Sequence, residues 1–333
     1  MKESGHGWEL TNGDSCEWLQ TLAEGSVDLA VFSPPFASLF AYSDDPRDLS
    51  NNDTYEQFGE HYGYIAHGLA RVMKPGRIVC VHCMVLPTSK TRDGYIGLRD
   101  LPGDLIRWHE QAGFIFHSKV TIWKDPVVAM QRTKALGLLH KQLLKDSTMS
   151  RMGLPDEVLM FRAPGENAES VTHRRPAMLR REDQDPDFNE GEPFPIAAVQ
   201  LEKSDGDEVF GVDLWQKWAS PVWDDIDQSD VLPCRAAKDE DDQKHLCPLQ
   251  REVVRRCIRL YSRPGDLVLT PFGGIGTELV VALEEGRRAI GCELKPSYFK
   301  QAVANLRATQ QTTPSLFGSL NVASGGTNLA PPR

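Results

Sequence analysis

The chain has 333 residues, 40% of them hydrophobic and 25% charged, which is ordinary globular usage. That length suits one large domain or two smaller ones, and buries a core without help from metal or disulfides. An odd count of 7 cysteines, no apolar leader in MKESGHGWELTNGDSCEW and no apolar run near the ~18 residues of a membrane span exclude a disulfide scaffold, a secreted mini-protein and a membrane protein. A reducing cytoplasm is the expected compartment.

The net charge is −10, but it is unevenly spread. Residues 182–242 hold 19 Asp and Glu against 4 Lys and Arg, so this stretch carries −15 and the rest of the chain +5. A basic stretch, 119–151, contains Lys119, Lys124, Arg132, Lys134, Lys141, Lys145 and Arg151 against only Asp125 and Asp146. Such a patch beside an acidic segment is compatible with a polyanionic partner.

In chain order, VDLAVFS (27–33) is an apolar run between Gly25-Ser26 and Pro34-Pro35, and predicts a buried strand. Residues 55–73 place Phe58, Tyr62, Ile65, Leu69 and Val72 at helical spacing, and Lys74-Pro75-Gly76 predicts the stop. RIVCVHCM (77–84) predicts a second buried strand, 103–112 a helix ended by Gly113, FIFHSKVTIW (114–123) a third strand and EVLMFR (157–162) a fourth. From 164 to 245 the pattern fades into Pro, Asp and Glu, which predicts an insertion with weak structure of its own. Regularity resumes with a helix at 248–260, a strand at 267–270, a glycine turn, a helix at 277–285, a strand at 288–293 and a helix at 296–309. The tail from 311, rich in Thr, Ser, Gly, Asn and Pro, is expected to be disordered. Strands alternating with helices imply an α/β fold with a mostly parallel sheet.

Two turns carry chemistry. In Leu267–Thr277 a strand runs through Phe272-Gly273-Gly274-Ile275-Gly276 into a helix. Glycines there let the backbone approach a ligand, and the helix start presents free N–H groups. Glu293 ends the next strand, where an acid can accept from both hydroxyls of a ribose. The pattern predicts a site for a nucleoside-containing cofactor; a plain tight turn is the bland alternative. No P-loop pattern is present. The second turn, Ser33-Pro34-Pro35-Phe36, follows directly on a strand. Its prolines fix φ and remove two N–H donors, which leaves a stiff rim of carbonyl acceptors with a Ser hydroxyl and a flat ring. Such a rim suits an amino group with two hydrogens to donate. A Pro-Pro strand terminator is the alternative.

Together the two turns resemble the S-adenosylmethionine-dependent DNA amino-methyltransferases. Ser33-Pro34-Pro35-Phe36 matches the family's [DNS]-P-P-[YFW] motif, and Thr270-Pro271-Phe272-Gly273-Gly274-Ile275-Gly276-Thr277 resembles its D-P-F-x-G-x-G-T motif. Asn12-Gly13-Asp14-Ser15-Cys16, Lys244-His245-Leu246-Cys247-Pro248 and Gly291-Cys292-Glu293 resemble three further family segments. Thr270 stands where the family usually has Asp, and Ile275 where it has a small residue. With the catalytic motif first and the glycine motif last, the order is the permuted one called the β class.

The resemblance implies a Rossmann-like seven-stranded mixed sheet with helices on both faces, interrupted by the irregular acidic insertion. It divides the chain into a catalytic half (1–163), an insertion or target-recognition region (164–243), a cofactor-binding half (244–310) and a tail (311–333). It implies S-adenosyl-L-methionine as methyl donor and double-stranded DNA as substrate, in a prokaryotic cell or its mobile elements, with N4 of a flipped cytosine favoured by Ser at position 33. Adenine N6 and a non-catalytic nucleic-acid-binding module of the same fold remain alternatives. Ser33, Pro34, Pro35 and Phe36 are the expected catalytic group. Asp14, Phe272, Gly273, Gly274, Gly276, Thr277 and Glu293 are the expected cofactor contacts. Arg132, Lys134, Lys141, Lys145 and Arg151 are the expected phosphate contacts.

Two other constellations fit less well. Pro233-Cys234 is the kind of pair that a cytosine-C5 enzyme uses, but that family places its glycine motif before the cysteine. Cys80-x-x-Cys83 with His82 lacks a second zinc-ligand pair at matching spacing; Cys234, His245, Cys247 and Cys257 form only a loose set. No metal is expected.

Overall fold

The computed structural model describes residues 1–36, 45–127, 140–149, 152–171, 212–233 and 248–312. The expected tail beyond Thr312 and the segments 172–211 and 234–243 of the expected insertion lie outside these residues. One mixed sheet organises the rest. Its strands are β1 (Lys2–Gly5), β2 (Trp8–Asn12), β3 (Val27–Phe32), β4 (Met73–Cys83), β5 (Ile115–Ile122), β6 (Asp156–Arg162), β7 (Val222–Trp223), β8 (Leu267–Thr270) and β9 (Arg288–Glu293). They lie side by side in the order β1-β2-β9-β8-β3-β4-β6-β5-β7. The run β2-β9-β8-β3-β4 is parallel, whereas β6 is antiparallel to both β4 and β5.

β3 is buried at all six positions, as a central strand covered on both faces must be. Its alternate residues feed two cores. Leu29 and Val31 pack with Cys80, Val268 and the helices α5 (Arg251–Tyr261), α6 (Thr277–Glu284) and α7 (Pro296–Thr312). Ala30 and Phe32 face the other way, with Val79 and Val81, toward α1 (Ser15–Thr21), α2 (Tyr55–Val72) and α3 (Leu101–Gln111). α2 starts on a capping box: the Thr54 hydroxyl accepts from Gln57 N at 3.2 Å, and the Gln57 side chain accepts from Thr54 N.

The structure corrects the sequence expectations in four places. The sheet has nine described strands instead of seven, because β1 and β7 extend its two edges. α2 does stop just before Lys74-Pro75-Gly76, at Val72, but β4 starts at Met73 and takes in these residues, four positions before the expected strand start at Arg77. Gly76 takes φ +72° there and donates its N–H to Ala163 O at 3.1 Å, so the chain bends without leaving the sheet. The last helix runs on to Thr312, past the expected start of the tail.

The fourth correction concerns the insertion. Residues Val212–Trp218 form a helix, α4, and Val222–Trp223 pair parallel with Thr121–Ile122 on the sheet edge. The buried Arg256 of α5 holds this segment. Its guanidinium carbon lies 5.1 Å from the Trp223 ring and 5.6 Å from the Trp218 ring, and Nη2 donates to Asp225 Oδ2 at 2.6 Å.

Candidate active site

Four neighbouring parallel strands deliver four loops to one edge of the sheet. β2 leads to Asp14, β9 ends on Glu293, β8 leads into the glycine turn and β3 leads into Ser33-Pro34-Pro35-Phe36. The carboxyl ends of parallel strands are where an open α/β sheet binds ligands. These loops wall a cavity of about 190 Å³ with a largely apolar lining. The sequence-predicted residues Ser33, Pro34, Pro35, Phe36, Asp14, Phe272, Gly273, Gly274, Thr277 and Glu293 all line it. Gly276 does not; it caps α6 at φ +91° and donates to Gly273 O at 2.7 Å, which closes the turn.

The glycine turn is tied to its neighbours by backbone bonds. Gly273 N donates to Cys292 O at 2.7 Å. A Cβ on Gly273 would sit 3.2 Å from that same oxygen, so a side chain here would crowd the cradle. Glu293 accepts from Gly274 N and from Lys295 N, each at 2.7 Å, one on each carboxylate oxygen. Each oxygen keeps lone-pair capacity for a further donor in the cavity. Asp14 caps α1 by accepting from Glu17 N at 3.0 Å, and Ser15 Oγ donates to Pro271 O across the site. Thr270, at the position where an acid was expected, donates to Phe272 O at 3.3 Å and so braces the turn.

Across the cavity the Ser33 hydroxyl donates to His82 O at 3.2 Å and lies 3.2 Å from His82 Nδ1. Its proton is therefore engaged behind it, and its remaining lone pair is free to accept. Phe32 and Phe272, one from each motif strand, meet at 5.8 Å between ring centroids. This contact fixes the spacing of the two turns.

Sequence reasoning missed several residues of the wall. Arg47, Asp48, Ile65, Leu249, Glu278 and Tyr298 all line the cavity. Glu278 sits in the first turn of α6, where its neighbours Leu279, Val280 and Val281 made it look like one polar residue of an apolar helix. Of the expected phosphate contacts, Arg132, Lys134 and Arg151 lie outside the described residues. Lys141 falls in the short helix His140–Leu143, and Lys145 is exposed just beyond it. Lys244 and His245 of the predicted lead-in, and Cys234, also lie outside the described residues.

Burial raises two of the carboxyls that line the cavity. Glu278 is pushed from 4.5 to about 8, chiefly by loss of water. Glu293 is pushed from 4.5 to about 7 by the same cause, with the Lys295 and Gly274 amides pulling the other way. The folded protein thus holds these protons over a range where the unfolded chain has lost them. Their contribution to stability is full below about pH 4.5 and is lost as pH rises through 7 and 8. Glu278→Gln removes its share of that loss. In thermal unfolding of the ligand-free protein, the variant's gain over the parent grows between about pH 5 and 8 and then levels off. A gain independent of pH would show that Glu278 is not the titrating group.

A family model for DNA methylases matches residues 27–304. The chain belongs to the N6/N4 DNA methylase family. Among curated DNA methylases it is 45% identical over 58 residues to the type II methyltransferase M1.MboII of Moraxella bovis, covering 17% of this chain and 22% of that protein. It is 43% identical over 63 residues to M.Cfr9I of Citrobacter freundii, covering 19% and 21%. These matches span only about a fifth of each relative's length. Among solved structures, TTHA0409 of Thermus thermophilus, complexed with S-adenosyl-L-methionine, shares the fold. Its TM-score is 0.57 at 22% identity, over 91% of this chain and 96% of that one. The PvuII DNA methyltransferase, cytosine-N4-specific, superposes with a TM-score of 0.53 at 17% identity, over 92% and 90%.

Proposed function

We propose that this methylase transfers a methyl group from S-adenosyl-L-methionine to the exocyclic amino group of a base flipped out of double-stranded DNA, with N4 of cytosine as the preferred acceptor. One observation carries the reading: the amine-accepting rim of Ser33-Pro34-Pro35-Phe36 and the glycine turn with Glu293 wall the same cavity from adjacent parallel strands. Family membership supports it. The same reading makes 1–163 and 244–310 the two halves of the catalytic domain and 164–243 the target-recognition region.

The residues present fit the donor. Glu293 has carboxylate capacity for two ribose hydroxyls, and Gly273 leaves room beside the turn for a close approach. Glu278 supplies a buried acid where Thr270 has none, and would hold the ammonium of the methionine moiety. When bound, S-adenosyl-L-methionine supplies an electrophilic methyl on a sulfonium. Phe36 stacks on the flipped base, whose extrusion costs a few kcal/mol of lost stacking and pairing. The Ser33 hydroxyl and the Pro34 carbonyl accept from the amino hydrogens. That pulls the nitrogen lone pair out of conjugation and aims it at the methyl carbon. Positioning supplies much of the rate, because no covalent enzyme intermediate is needed.

Lys145 and the basic residues Arg132, Lys134, Lys141 and Arg151 would hold DNA by its phosphates. The reading places the protein in the cytoplasm of a prokaryotic cell. Among the described residues no helix is long and apolar enough to cross a membrane.

The test is to incubate the protein with unmodified duplex DNA and methyl-labelled S-adenosyl-L-methionine, digest to nucleosides and weigh the product. N4-methylcytosine is expected, and Ser33→Ala slows its formation by roughly 100- to 1000-fold, the effect of one lost hydrogen bond at a reacting group. N6-methyladenine would keep the mechanism and reassign the base. Cofactor binding without any labelled nucleoside would leave the binding-module reading in its place.

A further inference from the structure

Behind Ser33, on the side away from the cavity, runs a chain of buried polar groups that the methyl transfer itself does not require. Ser33 Oγ is 3.2 Å from His82 Nδ1. His82 Nε2 is 3.0 Å from Asp156 Oδ2. The same Asp156 oxygen takes the Lys124 ammonium. His82 and Asp156 are 8% and 2% exposed, so the imidazole and the carboxylate sit in a nearly dry interior. Three strands place them: Ser33 follows directly on β3, His82 lies on β4, and Asp156 opens β6 opposite Ile122 of β5.

A polar chain of this length in a sheet core is costly unless every member is satisfied. It is also incompletely satisfied, since Asp156 Oδ1 is buried with no hydrogen bond. A merely structural interior can fill such positions with apolar residues, as β3 does at Leu29, Ala30 and Val31.

We propose that His82, oriented by Asp156 and Lys124, is the positioning residue that receives, through the Ser33 hydroxyl, the proton the target nitrogen sheds on methylation. The proposal rests on the methyl-transfer reading above. The balance is simple. The nitrogen lone pair forms the new N–C bond as the S–C bond breaks, and sulfur keeps the electron pair. The nitrogen is left with one hydrogen too many and a positive charge. That proton passes to Ser33 Oγ while the Ser33 proton swings from His82 O to His82 Nδ1. The imidazole becomes imidazolium, and the product amine is neutral. Asp156 fixes the tautomer by accepting from Nε2–H, which leaves Nδ1 as the acceptor, and its charge steadies the imidazolium. Lys124 keeps Asp156 ionised, alongside the His82 contact itself. The imidazolium gives its proton to solvent between turnovers.

Among the described residues, the groups facing His82 are few. β3 contributes the Ser33 hydroxyl, and β6 contributes Asp156. Lys124 follows β5. Glu157 and Lys119, one step along the same strands, pair with each other at 2.9 Å. The next strand positions on β4, Val81 and Cys83, are buried apolar neighbours.

The test is single-turnover methylation of unmodified duplex DNA by the full-length protein, from about pH 5.5 to 9, the range in which histidine changes charge. The wild-type rate is expected to rise with pH along a histidine limb. His82→Asn keeps a hydrogen-bonding side chain beside Ser33 but cannot take up a proton. It is expected to slow methylation by about 100-fold and to erase the limb. S-adenosyl-L-methionine affinity, measured by calorimetry, is expected to stay within about twofold, since His82 does not line the cavity. Ser33→Ala is expected to erase the limb as well, and Ser33→Ala/His82→Asn to be no slower than Ser33→Ala alone.

Retention of rate and limb in His82→Asn would overturn the proposal. So would a double variant whose losses multiply. If His82→Asn fails to fold, Ser33→Ala decides alone, because it removes a small group at a cavity wall: a limb that persists without the hydroxyl overturns the relay. Wild-type protein that binds the cofactor but methylates no nucleoside overturns the methyl-transfer reading and the relay together. A methylating wild type with an indifferent His82 overturns the relay only.

Discussion

Arg77→Met lowers the unfolding midpoint by roughly 10 °C, the equivalent of about 3–5 kcal/mol for a broken buried ion pair. The Arg77 side chain is 1% exposed and lies between two buried carboxylates: Nη2 is 3.3 Å from Asp28 Oδ1, and Nη1 donates to Asp266 Oδ2 at 3.1 Å. Asp28 on β3 also accepts from Leu267 N, the first residue of β8, at 2.9 Å. One cation therefore ties β4 to the starts of two neighbouring strands, β3 and β8. Removing it leaves two anions in a dry region without their shared partner. Lys74 also pairs with Asp28, at 2.7 Å, but its side chain is 39% exposed. Lys74→Met is therefore expected to cost less than about 1 kcal/mol. Thermal unfolding of the two variants side by side gives the check. Similar small losses from both would mean that the buried network contributes little.

Glu293→Ala weakens S-adenosyl-L-methionine binding by about 10²- to 10⁴-fold, since two hydrogen bonds to a charged group at about 1.5–3 kcal/mol each are lost. The carboxylate also orders the walls of the site, because it holds the Gly274 and Lys295 amides at 2.7 Å. Glu293→Gln keeps one acceptor and loses the charge, so it should fall between the parent and the alanine variant. The sign of the pH dependence follows from burial. Glu293 is held at about 7 in the ligand-free protein, whereas ribose hydroxyls need the ionised form. Affinity should therefore rise from about pH 6 to 8, with a proton released on binding at the lower end. Titration calorimetry in buffers of differing ionisation heat reads both quantities. Affinity changed less than about fivefold in Glu293→Ala, or flat with pH, would remove Glu293 from the ribose.

Much of the catalytic sheet was legible because its strands are short runs dominated by apolar residues. VDLAVF and RAIGCE have no competing period, and their flanking Gly and Pro residues mark the ends. Both motif turns were legible because glycine and proline declare backbone geometry directly. Other parts hid for definable reasons. β2 presents only Trp8 and Leu10 to the core, too short an alternation to stand out. β7 exists because Arg256, some 30 residues later, packs against Trp223, and no local pattern encodes that. Lys74-Pro75-Gly76 reads as a stop in every local rule, yet the sheet continues through it. His82 looked like one position of an alternating strand because its meaning depends on Asp156, 74 residues away. Glu278 carries no local signal in the sequence, being one acid in an apolar helix, and only the fold turns it into the cavity.

The strand order also governs how such a chain comes to be assembled. β8, from the far end of the chain, is sandwiched between β9 and β3, so the groove beside β3 stays unfilled until residue 270 has been made. At about 5–20 residues per second, synthesis of the stretch from β3 to β8 takes on the order of ten to fifty seconds. Throughout that interval a strand buried at every position in the finished fold has an open hydrogen-bonding edge. The nascent protein is then a natural client for a chaperone, and it becomes competent in one late step, when its two distant halves zip together.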